Sequence, residues 1–312
     1  MTGQLRRHWR DVDGILLLDK PKGLSSNQAL QVVRRIYCAR KAGHTGSLDP
    51  FATGMLPVCF GQATKVSVQM LEAAKTYRVQ CRLGTQTSTG DPEGEVTDEA
   101  QVPQLDRASI VRTLKQFTGE IEQVPPMYSA LKHQGKRLYK LARQGIEVER
   151  KARKVKIFSL SLDSFVSDSL ELTVHCSKGT YIRTLVQDQA RAWGTVGHAT
   201  ALRRLAVEPF AASAMVGIED LEQIRDDASS LQQLLQRPDQ ALVALPVCCL
   251  DSEQTKRLRY GQAVALSDTE PGRVRVYGPQ DDFVGIAEVD ELGVLRPRRL
   301  MSTAGKNLSQ GL

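Results

Sequence analysis

The segment GHTGSLDPFATG, residues 43–54, decides how this sequence is interpreted. It contains three glycines and a proline without the apolar spacing of a helix or strand, which predicts a structured loop between two apolar strands. Rigidly anchored loops of this kind often present catalytic groups. An aspartate in such a loop is most often a turn former, so Asp49 has a structural interpretation beside a catalytic one.

The flanking sequence predicts regular structure. Residues 15–18 form an apolar run typical of a buried strand, and Ser26 is a candidate N-cap for the helix that follows. Strict alternation from Lys75 to Leu83 predicts a strand that carries Tyr77 on its apolar face. Further along, the sequence SKGTYIR leads into a helix with Arg183 in its first turn.

Asp49 needs a cation if it is a nucleophile. For covalent attack on a sugar carbon or a uracil ring, its carboxylate must stay ionised in a partly dry pocket. Arg183 is the candidate partner, because its planar guanidinium can hold a carboxylate or a phosphate and does not lose its proton. The two residues are far apart in sequence, so only the fold can join them.

The net charge of +7 is concentrated in one segment. Residues 132–156 contain ten Lys and Arg against two Glu, which exceeds the excess of the whole chain, whereas residues 85–131 contain three basic and eight acidic residues. Most charge runs are solvated helix faces. The large excess of positive charge in residues 132–156 favours a phosphate-rich partner, since clustered charge is what binds polyanions.

Several classes of protein are disfavoured. The first apolar run is too short for a signal peptide, and the longest later run, residues 241–250, contains Pro246. We therefore expect a cytoplasmic protein without a membrane span. The five histidines and six cysteines show no metal-ligand spacing, so neither a metal nor another cofactor is expected. We also expect a monomer that needs no protein partner, because no exposed apolar stripe is evident.

Four motifs in a fixed order resemble those of a known family. The chain is similar to the TruB tRNA pseudouridine-55 synthases over about residues 12–210, and more weakly beyond. The motifs are DKPKGLSSN (19–27), GHTGSLDPFATG (43–54), KTYRVQCRLG (75–84) and HCSKGTYIRTL (175–185).

The resemblance implies catalytic roles for three residues. Asp49 corresponds to the family's nucleophile, Tyr77 to the tyrosine that stacks on uracil and accepts the C5 proton directly or through water, and Arg183 to the arginine that pairs with the nucleophile and a phosphate. The implied reaction isomerises uridine 55 in the T-loop of tRNA to pseudouridine, without a cofactor. The uridine must first be flipped out of the RNA stack.

Four further pocket residues follow from the resemblance. His44 could fill the space that the flipped base leaves, although a lone histidine is more often a structural hydrogen-bonder, so both roles stay open for it. Lys20 and Tyr181 resemble pocket positions, with Lys20 equally credible as a solvated partner of Asp19. Leu202 would line the apolar side of the pocket, or belong simply to the core.

The resemblance also implies the architecture. We expect an α+β fold in which helices flank a mixed, largely antiparallel sheet, with a small C-terminal β-barrel resembling a PUA domain. The predicted domains are residues 1–249 for catalysis and 250–312 for RNA binding. An inserted basic thumb at about 124–154, which includes Lys132, Lys136 and Arg137, would close over the T-arm of tRNA; guide-RNA-dependent relatives lack a comparable arm.

Two rival functions remain open on the sequence. In a non-catalytic RNA-binding or RNA-folding protein, Asp49 would be a turn residue. A different uridine-modifying enzyme is the other alternative. The sequence lacks the glycine-rich turn of a nucleotide-dependent methyltransferase. A glycosidase would need a second carboxylate, which the Asp49 loop does not obviously provide, although a residue distant in sequence could supply it.

Overall fold

The computed structural model describes residues 8–267 and 269–302. It contains a large mixed sheet with helices packed on it and a curled C-terminal sheet, which confirms the predicted α+β class. The sequence also suggests a frayed tail at residues 303–312, which lie outside the described residues.

The strands lie in two main sheets and two small hairpins. They are β1 (Gly14–Lys20), β2 (Ala42–His44), β3 (Thr53–Phe60), β4 (Lys75–Leu83), β5 (Thr85–Thr87), β6 (Val96–Glu99), β7 (Gly119–Gln123), β8 (Lys132–His133), β9 (Lys136–Arg137), β10 (Arg153–Val166), β11 (Ser169–Cys176), β12 (Gly197–Val207), β13 (Val216–Gly217), β14 (Val247–Cys249), β15 (Val264–Ala265), β16 (Gly272–Gly278), β17 (Asp282–Val289) and β18 (Val294–Leu300).

The helices are short, and most of them connect strands along the chain. They are α1 (Ser26–Ile36), α2 (Ser67–Glu72), α3 (Arg107–Gln116), α4 (Leu138–Ala142), α5 (Ile182–Ala192), α6 (Ile218–Gln223), α7 (Ala228–Gln233) and α8 (Ser252–Arg259). Single 3-10 turns occur at Gly61–Lys65, Ala212–Ala214, Pro238–Leu242 and Pro279–Asp281.

The large sheet has nine strands in the order β13-β1-β3-β12-β4-β11-β10-β7, with β2 added beside β3. Its pairs are antiparallel except β1 with β13 and β12 with β3. Strand β12 therefore lies between β3, which follows the Asp49 loop, and β4, which carries Tyr77. This central position brings two motifs that are distant in sequence to adjacent strands.

Alternation along β4 sets the main core. Its odd-numbered residues from Tyr77 to Leu83 are buried on one face, as predicted, and pack with α3 and α5. A second apolar cluster lies where α1 packs on strands β1 and β3 of the same sheet. Burial of this apolar surface is the principal driving force for the fold.

The C-terminal β unit is present as a curled five-stranded sheet, in the order β14-β16-β17-β18-β15. Its own core is formed by residues such as Leu258, Val276 and Leu295. Ile286 packs instead in a cluster with Met55 of the large sheet, so the two units are in contact. The first strand of this sheet starts just before the predicted boundary at residue 250, which stays a prediction.

Two local predictions need correction. The N-cap of α1 is Ser25, whose hydroxyl accepts from the Gln28 amide in a capping box, while Ser26 is the first helical residue. The segment 43–54 is a loop only in its centre, because its first two residues belong to β2 and its last two to β3. The first end of the loop is held because β2 pairs with β3. The last end is held because it is part of β3, which pairs there with β1 and β12.

Candidate active site

The loop that carries Asp49 is held by hydrogen bonds on both sides of that residue. The Ser26 hydroxyl accepts from the Leu48 amide at 2.7 Å and donates to the Leu48 carbonyl at 3.0 Å. The Gly23 amide donates to the Pro50 carbonyl at 2.8 Å. The Asp49 backbone is therefore fixed by neighbours on each side, while its side chain keeps 38% exposure and can reach a substrate.

Lys20 is buried beneath this loop, with no exposed surface. Its ammonium donates to three main-chain carbonyls, those of Pro21, Leu24 and Pro50. Burial lowers the pKa of Lys20 to about 8, an effect that the Asp49 charge opposes. The alternative of a solvated partner for Asp19 is wrong, because Asp19 pairs with Arg203 at 2.6 Å.

Arg183 joins three segments of the chain through one guanidinium. Its Nε lies 3.0 Å from the Asp49 carboxylate and its Nη1 lies 3.1 Å from Asp91. Nη1 also donates to the Thr89 carbonyl at 2.5 Å, and Nη2 donates to the Tyr128 carbonyl at 2.7 Å. The predicted pairing of Asp49 with Arg183 is therefore present, in a buried and multiply held geometry.

Asp91 is a second carboxylate at the site. It comes from the acidic turn TSTGDPEGE, its side chain is 4% exposed, and it accepts from the Thr89 hydroxyl at 2.5 Å and from the Glu93 amide at 3.0 Å. These bonds orient the Asp91 oxygens toward Arg183. The second carboxylate missing from the Asp49 loop is thus supplied by another loop.

The electrostatics of Asp49 reflect competing influences. Burial raises the pKa of the Asp49 carboxyl, Arg183 opposes the increase, and the like charge of Asp91 adds to it. Lys20 acts in the same direction as Arg183. A carboxylate in this position keeps more basicity than a surface aspartate, which suits it to nucleophilic attack.

Tyr77 and Leu202 line the apolar side of the site. Tyr77 is 9% exposed on the core face of β4, and Leu202 is 7% exposed on β12. Both belong to one apolar cluster with Leu48 and Phe51 from the Asp49 loop. Burial raises the pKa of Tyr77, and Arg204, which interacts with its hydroxyl, lowers it.

His44 lies at the end of β2, directly before the loop. Burial lowers its pKa, and the positive charges of Arg204 and Arg137 lower it further, so the ring is neutral at pH 7. No hydrogen-bond partner for its buried Nδ1 occurs within the described part of the chain. The alternative role as a structural hydrogen-bonder therefore has no support at this nitrogen.

Tyr181 precedes α5 and is half-buried. Its main chain is fixed by Gln123, whose side chain accepts from the Tyr181 amide at 3.0 Å and donates to its carbonyl at 3.3 Å. Burial raises the pKa of the Tyr181 hydroxyl. Because Arg183 lies two positions further along, Gln123 also fixes the start of the helix that carries the guanidinium.

The basic segment forms a hairpin followed by α4. Lys132, Lys136 and Arg137 are exposed on β8 and β9, which are joined by Gln134 and Gly135, both with positive φ as the favoured two-residue turn requires. The positive charge of Arg137 contributes to the lowered pKa of His44. At least one predicted thumb residue is therefore within electrostatic range of a predicted pocket residue.

Sequence reasoning missed Asp91 and Arg204. Asp91 is one of several acidic residues in a turn, and a turn former was the natural interpretation. Arg204 is an arginine inside a strand whose neighbour Arg203 is half-exposed, and only its 1% exposure distinguishes it. Within residues 8–267 and 269–302, no cluster of His, Cys, Asp or Glu could hold a metal ion, and no helix is long and apolar enough to cross a membrane.

Comparison with known families gives matches along nearly the whole chain. Residues 34–182 match the model of the TruB family pseudouridylate synthase N-terminal domain. Residues 183–243 match a tRNA pseudouridylate synthase B C-terminal domain, and residues 246–301 match a pseudouridine synthase II TruB C-terminal domain.

Two curated relatives are similar over their full length. The tRNA pseudouridine synthase B of Nitrosococcus oceani is 50% identical over 303 residues, which cover 96% of this chain and 98% of the relative. That of Chromohalobacter salexigens is 50% identical over 302 residues, with 96% and 97% covered. The chain belongs to the TruB family of pseudouridylate synthases. The expected family is therefore confirmed.

Solved structures support the same fold for this TruB-family chain. It resembles a chain in a Cbf5-Nop10-Gar1 complex with a TM-score of 0.72 at 23% identity, covering 93% of this chain and 84% of that one. An H/ACA RNP bound to a substrate RNA containing 2′-deoxyuridine gives the same TM-score at 21% identity, covering 93% and 85%. At these identities the likeness shows the fold alone.

Proposed function

We propose that this chain isomerises uridine 55 in the T-loop of tRNA to pseudouridine, with Asp49 as the nucleophile. The observation that carries the proposal is the Asp49–Arg183 pair, in which a half-exposed carboxylate lies 3.0 Å from a buried guanidinium. The full-length similarity to tRNA pseudouridine synthases B supports tRNA as the substrate.

The reaction needs a nucleophile and proton transfer only. The N1–C1′ glycosidic bond breaks, the uracil turns within the pocket, and C5 bonds to C1′; the C5 proton leaves and N1 gains a proton. No electron is gained or lost overall, so the proposal requires no redox cofactor. The ionised Asp49 oxygen attacks the nucleotide, and Arg183 stabilises the carboxylate form before attack and after its release.

Tyr77 and Leu202 form the apolar side of the proposed uracil pocket. The buried ring of Tyr77 offers a flat surface on which uracil stacks, and its phenolate form, which the Arg204 charge favours, accepts the C5 proton directly or through water and so becomes the phenol. Leu202, in the same apolar cluster, helps to keep water from this side of the pocket. Tyr181, which precedes Arg183, lies at the rim of this pocket.

Recognition of the RNA begins with the thumb. Lys132, Lys136 and Arg137 are exposed and bind phosphates of the T-arm, which supplies affinity that does not depend on base sequence. Flipping the uridine costs unstacking energy, which these contacts offset. His44 is neutral and planar, so it takes the place of the flipped base without repelling the cationic thumb.

The remaining assignments belong to the same proposal. Residues 1–249 form the catalytic domain with the thumb at about 124–154, and residues 250–312 form a PUA-like RNA-binding domain. The protein acts as a cytoplasmic monomer without a protein partner. Contact between Ile286 and the core of the large sheet supports a fixed placement of the C-terminal sheet beside the catalytic unit.

The test is tritium release from tRNA labelled at uridine C5. Asp49→Asn keeps the shape of the side chain and removes its charge, so we expect release to stop while tRNA affinity stays within a few fold of wild type. Asp11→Asn, on an exposed surface pair with Arg40, is the matched control and retains activity. Release by Asp49→Asn at the wild-type rate would refute the nucleophile assignment.

The same assay separates the rival functions. A non-catalytic RNA-binding protein binds tRNA without releasing tritium in the wild type. Mass spectrometry of the product distinguishes other enzymes, since isomerisation leaves the RNA mass unchanged, whereas methylation adds mass and a glycosidase removes the base.

A further inference from the structure

Arg204 is a fully buried arginine at the junction of two active-site elements, with 1% of its surface exposed. On one side of β12 it is paired in register with Gly54, at the end of the Asp49 loop. On the other side it is paired with Tyr77. One residue therefore lies beside both the loop of the nucleophile and the aromatic residue of the pocket.

The guanidinium of Arg204 is bonded to both arms of the Asp49 loop. Its Nε donates to the Met55 carbonyl at 2.6 Å, after the loop, and its Nη2 donates to the Gly46 carbonyl at 3.2 Å, before Asp49. These bonds link the segment before Asp49 to the segment after it. Together they fix the separation of the two arms.

Gly54 allows this close approach. A Cβ at this position would lie 2.2 Å from the Arg204 carbonyl oxygen and 2.9 Å from its amide nitrogen, and the φ of Gly54 is +99°. Only glycine fits such a contact. The backbone of Arg204 is therefore packed directly against the point where the Asp49 loop becomes β3.

Neutral groups hold the guanidinium of Arg204. No ion pair among residues 8–267 and 269–302 includes it, and its hydrogen bonds go to the Met55 and Gly46 carbonyls and to the Tyr77 hydroxyl. An unpaired buried charge costs stability, and an apolar side chain of similar size would often serve the core as well. Its charge acts on the active site, where it adds to the lowering of the His44 pKa by burial and opposes the rise that burial causes in the pKa of Tyr77.

We propose that Arg204 is a positioning residue of this active site, which holds the Asp49 loop in a fixed relation to Tyr77 and provides a permanent positive charge behind the pocket. The proposal rests on the proposed function, because Asp49 and Tyr77 are its reacting groups. Arg204 itself is buried and acts through these residues. A shift of about 1 Å in such a loop can lower a rate by about 10²-fold.

Two substitutions separate the roles of shape and charge. Arg204→Met keeps the length of an apolar side chain and removes both the charge and the hydrogen bonds. Arg204→Lys keeps the charge but cannot span both carbonyls as a fork does. Arg203→Met is the matched control, since Arg203 directly precedes Arg204 in β12 and pairs with Asp19 on a half-exposed surface.

The first measurement is the kinetics of tritium release from tRNA labelled at uridine C5. We expect kcat to fall at least tenfold in Arg204→Lys and about 10²-fold in Arg204→Met, with KM for tRNA within a few fold of wild type. Arg203→Met retains its kcat. A folded Arg204→Met with wild-type kcat, or an equal loss of kcat in Arg203→Met, would overturn the proposal.

The second measurement follows His44 by NMR and does not depend on activity. Removing the positive charge in Arg204→Met raises the pKa of His44, whereas Arg204→Lys leaves it low. A purely structural role for Arg204 would not produce this difference. The proposal is wrong if the pKa of His44 is the same in folded Arg204→Met and wild type.

The outcomes also separate this proposal from the proposed function. If wild type releases no tritium, the proposed function fails, and the His44 titration still tests the charge of Arg204. If Arg204→Met does not fold, as circular dichroism would show, Arg204→Lys decides. Wild-type kcat in a folded Arg204→Lys would overturn the positioning role.

Discussion

Asp49 and Asp91 bind the same guanidinium group, at Nε and Nη1 of Arg183. Although both carboxylates bind this one cation, the charge of Asp91 raises the pKa of Asp49 beyond the effect of burial. The protonation state of the proposed nucleophile therefore depends on a residue from another loop. Asp91 orients Arg183 as well, since its bonds to Thr89 and Glu93 fix its own position.

Asp91→Asn is expected to lower kcat about tenfold or more, because one of the groups that orient Arg183 loses its charge. The same substitution removes a like charge, which lowers the pKa of Asp49. Asp49 acts as the carboxylate, so the acid limb of the pH profile of kcat/KM moves to lower pH. The measurement is tritium release as a function of pH.

Asp98→Asn is the control for this experiment, since Asp98 is exposed on β6 and belongs to the same acidic stretch. It should leave both kcat and the acid limb unchanged. An acid limb of Asp91→Asn that moves to higher pH would contradict the electrostatic coupling of the two carboxylates.

Ser25 and Ser26 are adjacent but have different tasks, which a pair of substitutions separates. Ser25 caps α1, so Ser25→Ala should cost about 1 kcal/mol of stability and leave kcat unchanged. Ser26 is buried and both donates to and accepts from Leu48, the residue before Asp49. Ser26→Ala should cost about 1–3 kcal/mol and also lower kcat, because the Leu48 amide and carbonyl lose their partner.

Urea denaturation and tritium release measure the two effects. The comparison is informative because both variants lose one hydroxyl on neighbouring residues. Equal kcat values for Ser26→Ala and wild type would show that the loop keeps its position without this anchor.

Residues 75–83 and the Asp49 loop illustrate what the sequence could predict. Alternation along β4 placed Tyr77 on the core face, and the structure agrees, because a half-buried strand leaves a period of two in its residues. The order of the four motifs led to the prediction that Asp49 pairs with Arg183, and the structure contains this pair. The exact N-cap was wrong by one position, since Ser25 and Ser26 both suit a cap and only burial distinguishes them.

Asp91 and Arg204 show why other residues of the candidate site could not be predicted from the sequence. Both belong to segments whose local pattern indicates an ordinary turn or strand. Their importance arises from tertiary contacts with Arg183 and with the Gly46 carbonyl, which no local spacing encodes. Lys20 is similar: its sequence neighbour Asp19 suggested a surface pair, whereas the fold buries the ammonium under the Asp49 loop.

Arg183→Lys should lower kcat by about 10²-fold or more, although the charge is retained. The guanidinium meets two carboxylates and two carbonyls at once, and a lysine ammonium cannot satisfy that planar arrangement. Arg191→Lys on the same helix is the control, since Arg191 forms an exposed pair with Asp188. Full activity of Arg183→Lys would show that charge alone suffices at this position.

The charges of the thumb should affect binding more than chemistry. Lys132 and Lys136 are exposed on the hairpin, and replacing both with Gln should reduce the slope of log Kd against log salt by about 0.7–0.9 for each lost phosphate contact. At saturating tRNA we expect kcat to stay close to wild type, because neither residue contacts the Asp49–Arg183 pair. Arg112→Gln with Lys115→Gln, two exposed charges on α3, removes the same charge elsewhere and should leave the slope unchanged. Equal slopes for the two double variants would mean that tRNA responds to the net charge of the protein, and the thumb would then have no specific role in binding.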